Sequence, residues 1–497
     1  MKFILKHRVE FFLLFILIAA YFVLRLPNLT LQPIFADEAI YIRWAQVMRA
    51  EPTLRFVSVS DGKTPLFMWL MISLFKIFKD PLFAGRFLSV FAGFFTLLGV
   101  FFLTKKVFNI KAGLWAALIY VVTPYTVFFD RMALVDSMLA GFTIWVIYFA
   151  ILLTQVLRLD LAMILGYLLG GTILTKTPGL LNLLILPISI LGFKKTGKNS
   201  LIKLIVLWGV AIGIALIMYN ILRLGPEFQK LSSRNADYVF SPLELLGRPL
   251  DPFIPHLRDM QDWFPKLFTP PILILIAIGI FFTLKKLNRG AIVVLMWALM
   301  PLLFSMAFLK TFTARYLLTS IAPLLVFAGF GLYKILEKIT LKTNIKIFIG
   351  LVVVLPLSLQ FDYQLIISPP PQDLPKEERI GYFEDWTAGY GFSEIADYLL
   401  EQKKTHPNIV LGTDGFFGTL PDGIQIYLDK AQISIVGSSA TISAQIRNAA
   451  KDNMTYFLGN KNGLEGRIKN VNLIKEYPKA KALNGHRDAT VLYRVLP

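Results

Sequence analysis

Eleven apolar runs, most of them near the ~20 residues needed to cross ~30 Å of hydrocarbon, constrain this chain more than any motif in it. The first is Phe11 to Leu26, and the others are 83–104, 112–129, 132–156, 160–175, 178–193, 203–222, 271–285, 290–309, 316–336 and 346–362. With 56% hydrophobic residues and 17% charged ones over 497 positions, the chain is too apolar for a soluble globule. It reads as a polytopic α-helical membrane protein. Arg25 followed by Pro27 makes a poor cleavage site, so the first run is read as a retained anchor.

Thr64 to Lys79 is the ambiguous segment. Its 16 residues would reach only about 24 Å as a helix, and Pro65, Trp69, Lys76 and Lys79 suit a helix lying in the interface. Charge sidedness supports leaving it out. Lys2, Lys6 and Arg8; Lys105, Lys106 and Lys111; Arg158; Lys194, Lys195, Lys198 and Lys203; Lys285, Lys286 and Arg289; and Lys334, Lys338, Lys342 and Lys346 then all fall on one side, with only Glu10, Asp160 and Glu337 as acids. Short cationic loops mark the cytoplasmic side, so the expected topology has eleven spans, the N-terminus inside and the C-terminus outside the cytoplasmic membrane. The same placement explains the net charge of +19 without nucleic acid. No cysteine is present, which removes disulfides, thiol nucleophiles and Cys-based zinc sites.

The expected membrane module covers residues 1–365, with outer loops at 28–82 and 223–270. Pro369-Pro-Pro371 marks a boundary. From 372 to 497 the composition turns soluble, and β-type runs (409–412, 433–437, 455–459, 490–495) alternate with helical ones (392–402, 441–450), as in a small extracytoplasmic α/β domain. No Gly-rich phosphate-cradling turn joins a strand to a helix there.

The unusual charges collect on the outer side. Asp37-Glu38 sits just beyond the first span, before Tyr41, Trp44 and Ala45 on one helical face. A carboxylate shielded from water can be tuned into a general base, which makes Asp37 a candidate for taking a proton from an acceptor hydroxyl. The competing interpretation is a helix cap, with Asp37 capping a helix that starts near Ala39 and Glu38 adding first-turn charge. Lys63, Arg131 with Asp136, Lys176 in Lys-Thr-Pro-Gly179, Lys310, and Arg315-Tyr316 bring cations to outer helix ends. Each alone reads equally well as a snorkelling interfacial charge or a local ion pair. Together they would suit a phosphate-bearing lipid, for which Arg forks and Lys point charges are apt. A divalent metal is a candidate cofactor, with Glu38 and His256 as its weak ligand candidates.

The Asp-Glu-Ala-x-Tyr opening, Lys63-Thr-Pro-Leu-Phe-Met-Trp69-Leu70, Arg86 ahead of a long apolar span, Arg131-Met-Ala-Leu-Val-Asp136, Lys176-Thr-Pro-Gly179 and Arg315-Tyr-Leu-Leu318 resemble, in that order, the GT-C glycosyltransferases. The nearest group looks like the protein O-mannosyltransferase and aminoarabinose transferase superfamily. Trp386-x-x-Gly-Tyr-Gly391 and the segment 413–422 look like the soluble tail of its prokaryotic members. The resemblance implies a polyprenyl-phosphate sugar donor, inverting transfer to a protein, lipid or glycan acceptor, Asp37 as base with Glu38 in support, and donor or substrate contacts drawn from Lys63, Arg86, Arg131, Asp136, Lys176, Lys310, Arg315 and Tyr316. Lys63-Thr-Pro stands where relatives often have Lys-Pro-Pro.

A transporter or flippase for a lipid-linked sugar is the main alternative, and an inactive scaffolding relative a third. Transporters tend to carry repeated halves and broken helices at mid-membrane. Here no repeat is visible, and the distinctive charges lie at one face.

Overall fold

The structure is a computed structural model that describes residues 8–193, 197–248 and 250–497. Lys2, Lys6, Lys194 and Lys195, four of the cations used to assign sidedness, lie outside the described residues. The chain divides into two compact units. The first comprises 1–27, 55–67 and 87–375, and the second comprises 28–54, 68–86 and 376–497.

The first unit is helical. Every expected apolar run is helical, in one piece or two except for 178–193, which is a short α-helix between two 3-10 turns, because in hydrocarbon a backbone must satisfy its own N–H and C=O groups. Among the described residues, six helices are long and apolar enough to cross a membrane: Pro81–Val107, Val135–Gln155, Lys198–Leu224, Arg289–Phe308, Ala314–Lys338 and Thr343–Ile367. The total rises to eight if each of two bent pairs is one span. The others fall short for local reasons. Arg8–Arg25 contains Arg8, Glu10 and Arg25, while Leu159–Thr175 and Thr177–Gly192 are shorter. The chain is thus a multi-pass membrane protein.

Both bends have proline at their origin. Pro124 begins the helix Pro124–Asp130, 58° from Ile110–Val122. Pro270 follows Thr269, whose φ of +68° turns the chain by 103° between Phe253–Phe268 and Pro270–Lys286. Close approach of helices relies on small residues. A Cβ on Gly331 would lie 2.1 Å from the Leu275 carbonyl, so Pro270–Lys286 and Leu318–Lys338 can touch only with glycine there.

The ambiguous segment contains a helix, Leu66–Leu74, of 9 residues. At ~1.5 Å per residue it is roughly 14 Å long, too short to cross. The long loop is also organised. Val239 bridges to Leu309, Lys310 donates to the Ala236 carbonyl at 2.7 Å, and Trp263 is buried on the amphipathic helix Phe253–Phe268.

The second unit is an α/β assembly. A two-stranded ribbon joins β1 (Ile34–Phe35) antiparallel to β2 (Ala388–Gly389). A mixed five-stranded sheet contains β3 (Ile409–Asp414), β4 (Ser434–Ser438), β5 (Met454–Asn460), β6 (Val471–Pro478) and β7 (Ala489–Val495), in the order β4-β3-β5-β7-β6. The pairs β3–β4 and β3–β5 are parallel, and β7 runs antiparallel to both β5 and β6. Ile446, Phe457, Leu464 and Val491 form its dry centre. The edge strand β6 carries Lys475 and Glu476 and leaves most of its side chains accessible, so it has no apolar signature.

Candidate active site

The first acid pair lies in the second unit. The helix Ala36–Ala50 begins three residues before Ala39, with Phe35 as its N-cap. Phe35 has no side-chain acceptor, and the cap is made by Glu38, whose Oε2 accepts the Phe35 N–H at 3.0 Å. Asp37 therefore stands inside the first turn rather than capping it. The reason for the early start is the ribbon. Pairing of β1 with β2 and the Ala36 N–H bond to the Thr387 carbonyl at 3.0 Å bring the chain into the helix already extended.

Glu38 is fully buried, as is Arg86. The guanidinium grips the carboxylate through both oxygens, Nε to Oε1 and Nη2 to Oε2, each at 2.8 Å. Its other donors go to the carbonyls of Leu29 (2.9 Å), Gln32 (3.0 Å) and Pro33 (2.9 Å). All five guanidinium donors are thus used inside the protein. Arg86 was expected to contact substrate, but in this geometry it holds the loop 29–33 and the first turn of the Asp37 helix. Asp37 remains half-buried, where the positive end of the helix favours an anion. Further along, Arg43 and Arg49 pair with Asp429, Gln46 donates to the Ile426 carbonyl at 2.8 Å, and Trp44 meets Phe417. The helix carrying Asp37 is thereby fixed to the α/β sheet's flanking helix Asp422–Leu428.

In the first unit, four of the expected cations fall into three settings. Lys176 Nζ lies 2.7 Å from Asp136 Oδ1 and 3.9 Å from the centre of the Tyr316 ring. Arg315, largely buried, lies 5.3 Å from that same ring. Asp136, Lys176, Arg315 and Tyr316 therefore form one cluster, brought together from three helix ends. Lys63 is elsewhere, 3.3 Å from Asp61, which also binds Arg234 at 2.7 Å. Lys310 anchors the long loop, as described above.

Arg131 is fully buried, and its Nη1 donates to the carbonyls of Arg25 (2.7 Å) and Pro27 (3.0 Å), closing the end of the helix Arg8–Arg25. Beside it lies a network that no motif announces. Pro124 has no N–H for the carbonyl of Tyr120, four residues earlier. Arg25 Nη2 and the Thr126 hydroxyl supply that carbonyl instead, Arg25 Nη1 takes the Val121 carbonyl, and Arg25 Nε pairs with Asp130 Oδ2 at 3.0 Å. Tyr21 and Tyr120 hydroxyls also donate to Asp130, and Asp362 is buried nearby. Arg25 at the end of the first apolar run is the one signal that could have revealed it, since a cation in a span is costly without a partner.

His256 Nδ1 lies 2.9 Å from the Met306 carbonyl, and its ring stacks on Phe312 with centroids 4.2 Å apart. Among the described residues, no three His, Asp or Glu side chains gather as metal ligands would.

Residues 62–222 match the family described as dolichyl-phosphate-mannose-protein mannosyltransferase. Among curated proteins, no sequence match is found. Solved structures share the fold at low identity. ArnT from Cupriavidus metallidurans, in the apo state, is 15% identical with a TM-score of 0.57, covering 97% of each chain. The same protein bound to undecaprenyl phosphate is 14% identical with a TM-score of 0.54, covering 98% of each. The Archaeoglobus fulgidus oligosaccharyltransferase AglB, in complex with an inhibitory peptide and a dolichol-phosphate, is 13% identical with a TM-score of 0.55, covering 97% of this chain and 74% of that one. Fold and family match thus point the same way, towards the architecture of these membrane proteins and, over residues 62–222, the sequence pattern of a mannosyltransferase family.

Proposed function

We propose that this protein is an integral-membrane glycosyltransferase that moves a sugar, mannose or a related hexose or pentose, from a polyprenyl-phosphate donor to an acceptor hydroxyl on a protein or an envelope lipid or glycan. The donor class is supported by the undecaprenyl phosphate and dolichol-phosphate bound in structures of the same fold. The observation that carries the reading is the Glu38–Arg86 pair. Such a bidentate, fully buried brace fixes the first turn of the helix that carries the half-buried Asp37 and uses Glu38, not Asp37, to do so.

In the proposed reaction Asp37 accepts the proton of the acceptor hydroxyl as its oxygen attacks the anomeric carbon. The bond from that carbon to the phosphate oxygen breaks, and the polyprenyl phosphate leaves with the electron pair and inverted geometry at carbon. Cations lower the cost of the charge that develops on the phosphate. The Lys176–Tyr316–Arg315 cluster, oriented by Asp136, is assigned that role, with Lys63 as a further candidate. Arg86 and Arg131 are assigned positioning roles, because both are directed at backbone carbonyls. Eleven crossings, an inner N-terminus and chemistry at the outer face complete the proposal.

The test is reconstitution of the purified protein with a radiolabelled polyprenyl-phosphate sugar and candidate acceptors. Label appearing on acceptor supports the reading. Movement of the donor between leaflets with no label on any acceptor would replace it with the transporter reading.

A further inference from the structure

At the other ends of the first unit's helices, the chain closes around a cavity of about 540 Å³. Lys106 comes from the last turn of Pro81–Val107, Gln155 from the end of Val135–Gln155, Lys286 from the end of Pro270–Lys286, and Asn288, Arg289 and Gly290 from the turn and the first residues of Arg289–Phe308. Asp136 and Gln155 stand at opposite ends of one helix, 19 residues and so roughly 29 Å apart. The cavity therefore lies a bilayer's thickness away from the Asp136–Lys176 cluster.

The wall is built and locked. Leu287 takes a left-handed conformation, φ 46°, that ends one helix. Asn288 then starts the next, its Oδ1 accepting the Ala291 N–H at 3.2 Å and its Nδ2 donating to the Val107 carbonyl at 3.1 Å. One side chain thus ties three helix ends around the opening. The first N–H groups of a 20-residue helix face outward there, the end of a helix that favours anions.

The charge of the lining is one-sided. It holds three cations and no acid, and among the described residues none of Lys106, Lys286 and Arg289 forms an ion pair. The acid nearest to Lys286 along the neighbouring helix, Glu337, is hydrogen-bonded by Lys334 and the Tyr333 hydroxyl, and Lys286 acts on it only through space, as the smallest of the influences on its carboxylate. Topological sidedness explains why cations occur at this end of the bundle. It does not explain their convergence on a concave space of small-ligand size that excludes every carboxylate. Exposed Phe281, Leu284 and Leu287, on and just beyond the same helix, add an apolar surface beside the opening.

We propose that this cavity is a binding site for the phosphate of an anionic phospholipid headgroup, with acyl chains along Phe281, Leu284 and Leu287. Two Lys point charges and an Arg fork supply the phosphate contacts, and Asn288 and Gln155 supply amide donors for headgroup hydroxyls. The site is independent of sugar transfer.

Native mass spectrometry of the full-length protein, titrated in detergent with phosphatidylglycerol or phosphatidylcholine, tests it. Tighter retention of phosphatidylglycerol is expected. The triple substitution Lys106→Gln, Lys286→Gln, Arg289→Gln should weaken that retention on the order of a hundredfold, since each cation near an anionic lipid is worth about fivefold. Charge-retaining Lys106→Arg, Lys286→Arg, Arg289→Lys should bind near wild type, and it keeps the test open if the Gln triple aggregates. Equal retention of both lipids would overturn the proposal. So would an equal loss from Lys338→Gln, Lys342→Gln, Lys346→Gln, which removes as much charge outside the cavity. Displacement of the lipid by equimolar inorganic phosphate would overturn the lipid assignment in favour of a soluble phosphate ligand.

Discussion

Arg86 holds Glu38 through both carboxylate oxygens at 2.8 Å, and neither side chain has any solvent exposure. A buried pair of this kind is hard to break from one side, because the remaining charge loses its counter-ion without regaining water. Glu38→Gln and Arg86→Gln are each expected to destabilise the protein by about 3–5 kcal/mol. Thermal unfolding of the purified protein followed by tryptophan fluorescence measures this. The double variant should recover part of the loss, which two unrelated sites would not do.

The cluster around Lys176 separates binding from stability. Lys176 is partly exposed but its partner Asp136 is buried, so Lys176→Gln, whose amide can still donate to Asp136, should fold with a modest loss of stability that a melting curve records beside the kinetics. If its cation meets the donor phosphate, loss of a charged hydrogen bond of about 1.5–3 kcal/mol lowers kcat/KM roughly ten- to hundredfold. Steady-state transfer kinetics with donor concentration varied are the measure. Asp136→Asn should shift the same parameter in the same direction, by releasing Lys176 from its orienting carboxylate.

Packing against the Arg25–Asp130 network gives a sharper structural test. A Cβ on Gly93 would stand 2.3 Å from the Tyr21 hydroxyl oxygen and 2.4 Å from the Asp130 carboxylate. Gly93→Ala is therefore expected to cost about 1–3 kcal/mol, as overpacking of a tight site does. At Gly209 a Cβ would meet nothing within 4 Å. Gly209→Ala, on a helix interior, should be neutral or stabilising by up to about 1 kcal/mol. Paired thermal unfolding of the two variants decides it.

Asp422 makes stability depend on pH. Burial holds its carboxyl above the ordinary value, opposed by the Gly418 N–H that its Oδ2 accepts at 2.7 Å. A raised folded-state value means that the stabilising contribution is complete below the unfolded value, about 3.9, and is lost as pH rises through the folded one. Asp422→Asn keeps an acceptor for Gly418 and removes the titration. The difference in melting temperature, variant minus wild type, should grow as pH is raised from 4 to neutrality and then level off.

Much of this was legible from residues alone. The apolar runs are recovered as helices because hydropathy acts locally, while the pairing of Asp136 with Lys176 beside Tyr316 had no sequence signal beyond their places at helix ends. What sequence could not show was the partner of each charge. Glu38 lies 48 residues from Arg86, and a charge in a string of letters does not reveal that its donors are aimed at the Leu29, Gln32 and Pro33 carbonyls. The same blindness made Arg131 look like an anion ligand, when its Nη1 closes a helix end. A cap at Asp37 looked equally open in the sequence because the extended ribbon that starts its helix early is formed with Ala388 and Gly389, some 350 residues away. Strand β6 was missed because an edge strand with one covered face needs little apolar sequence.

The central claim is that Asp37 takes the proton of the acceptor. Its most direct test is single-turnover transfer from a radiolabelled polyprenyl-phosphate sugar by wild type and Asp37→Asn, with the melting temperature of both recorded on the same preparations. If Asp37 is the base, Asp37→Asn keeps the wild-type melting temperature and loses transfer by about 10²–10⁴-fold, the usual contribution of a general base. Transfer by Asp37→Asn at the wild-type rate would contradict it.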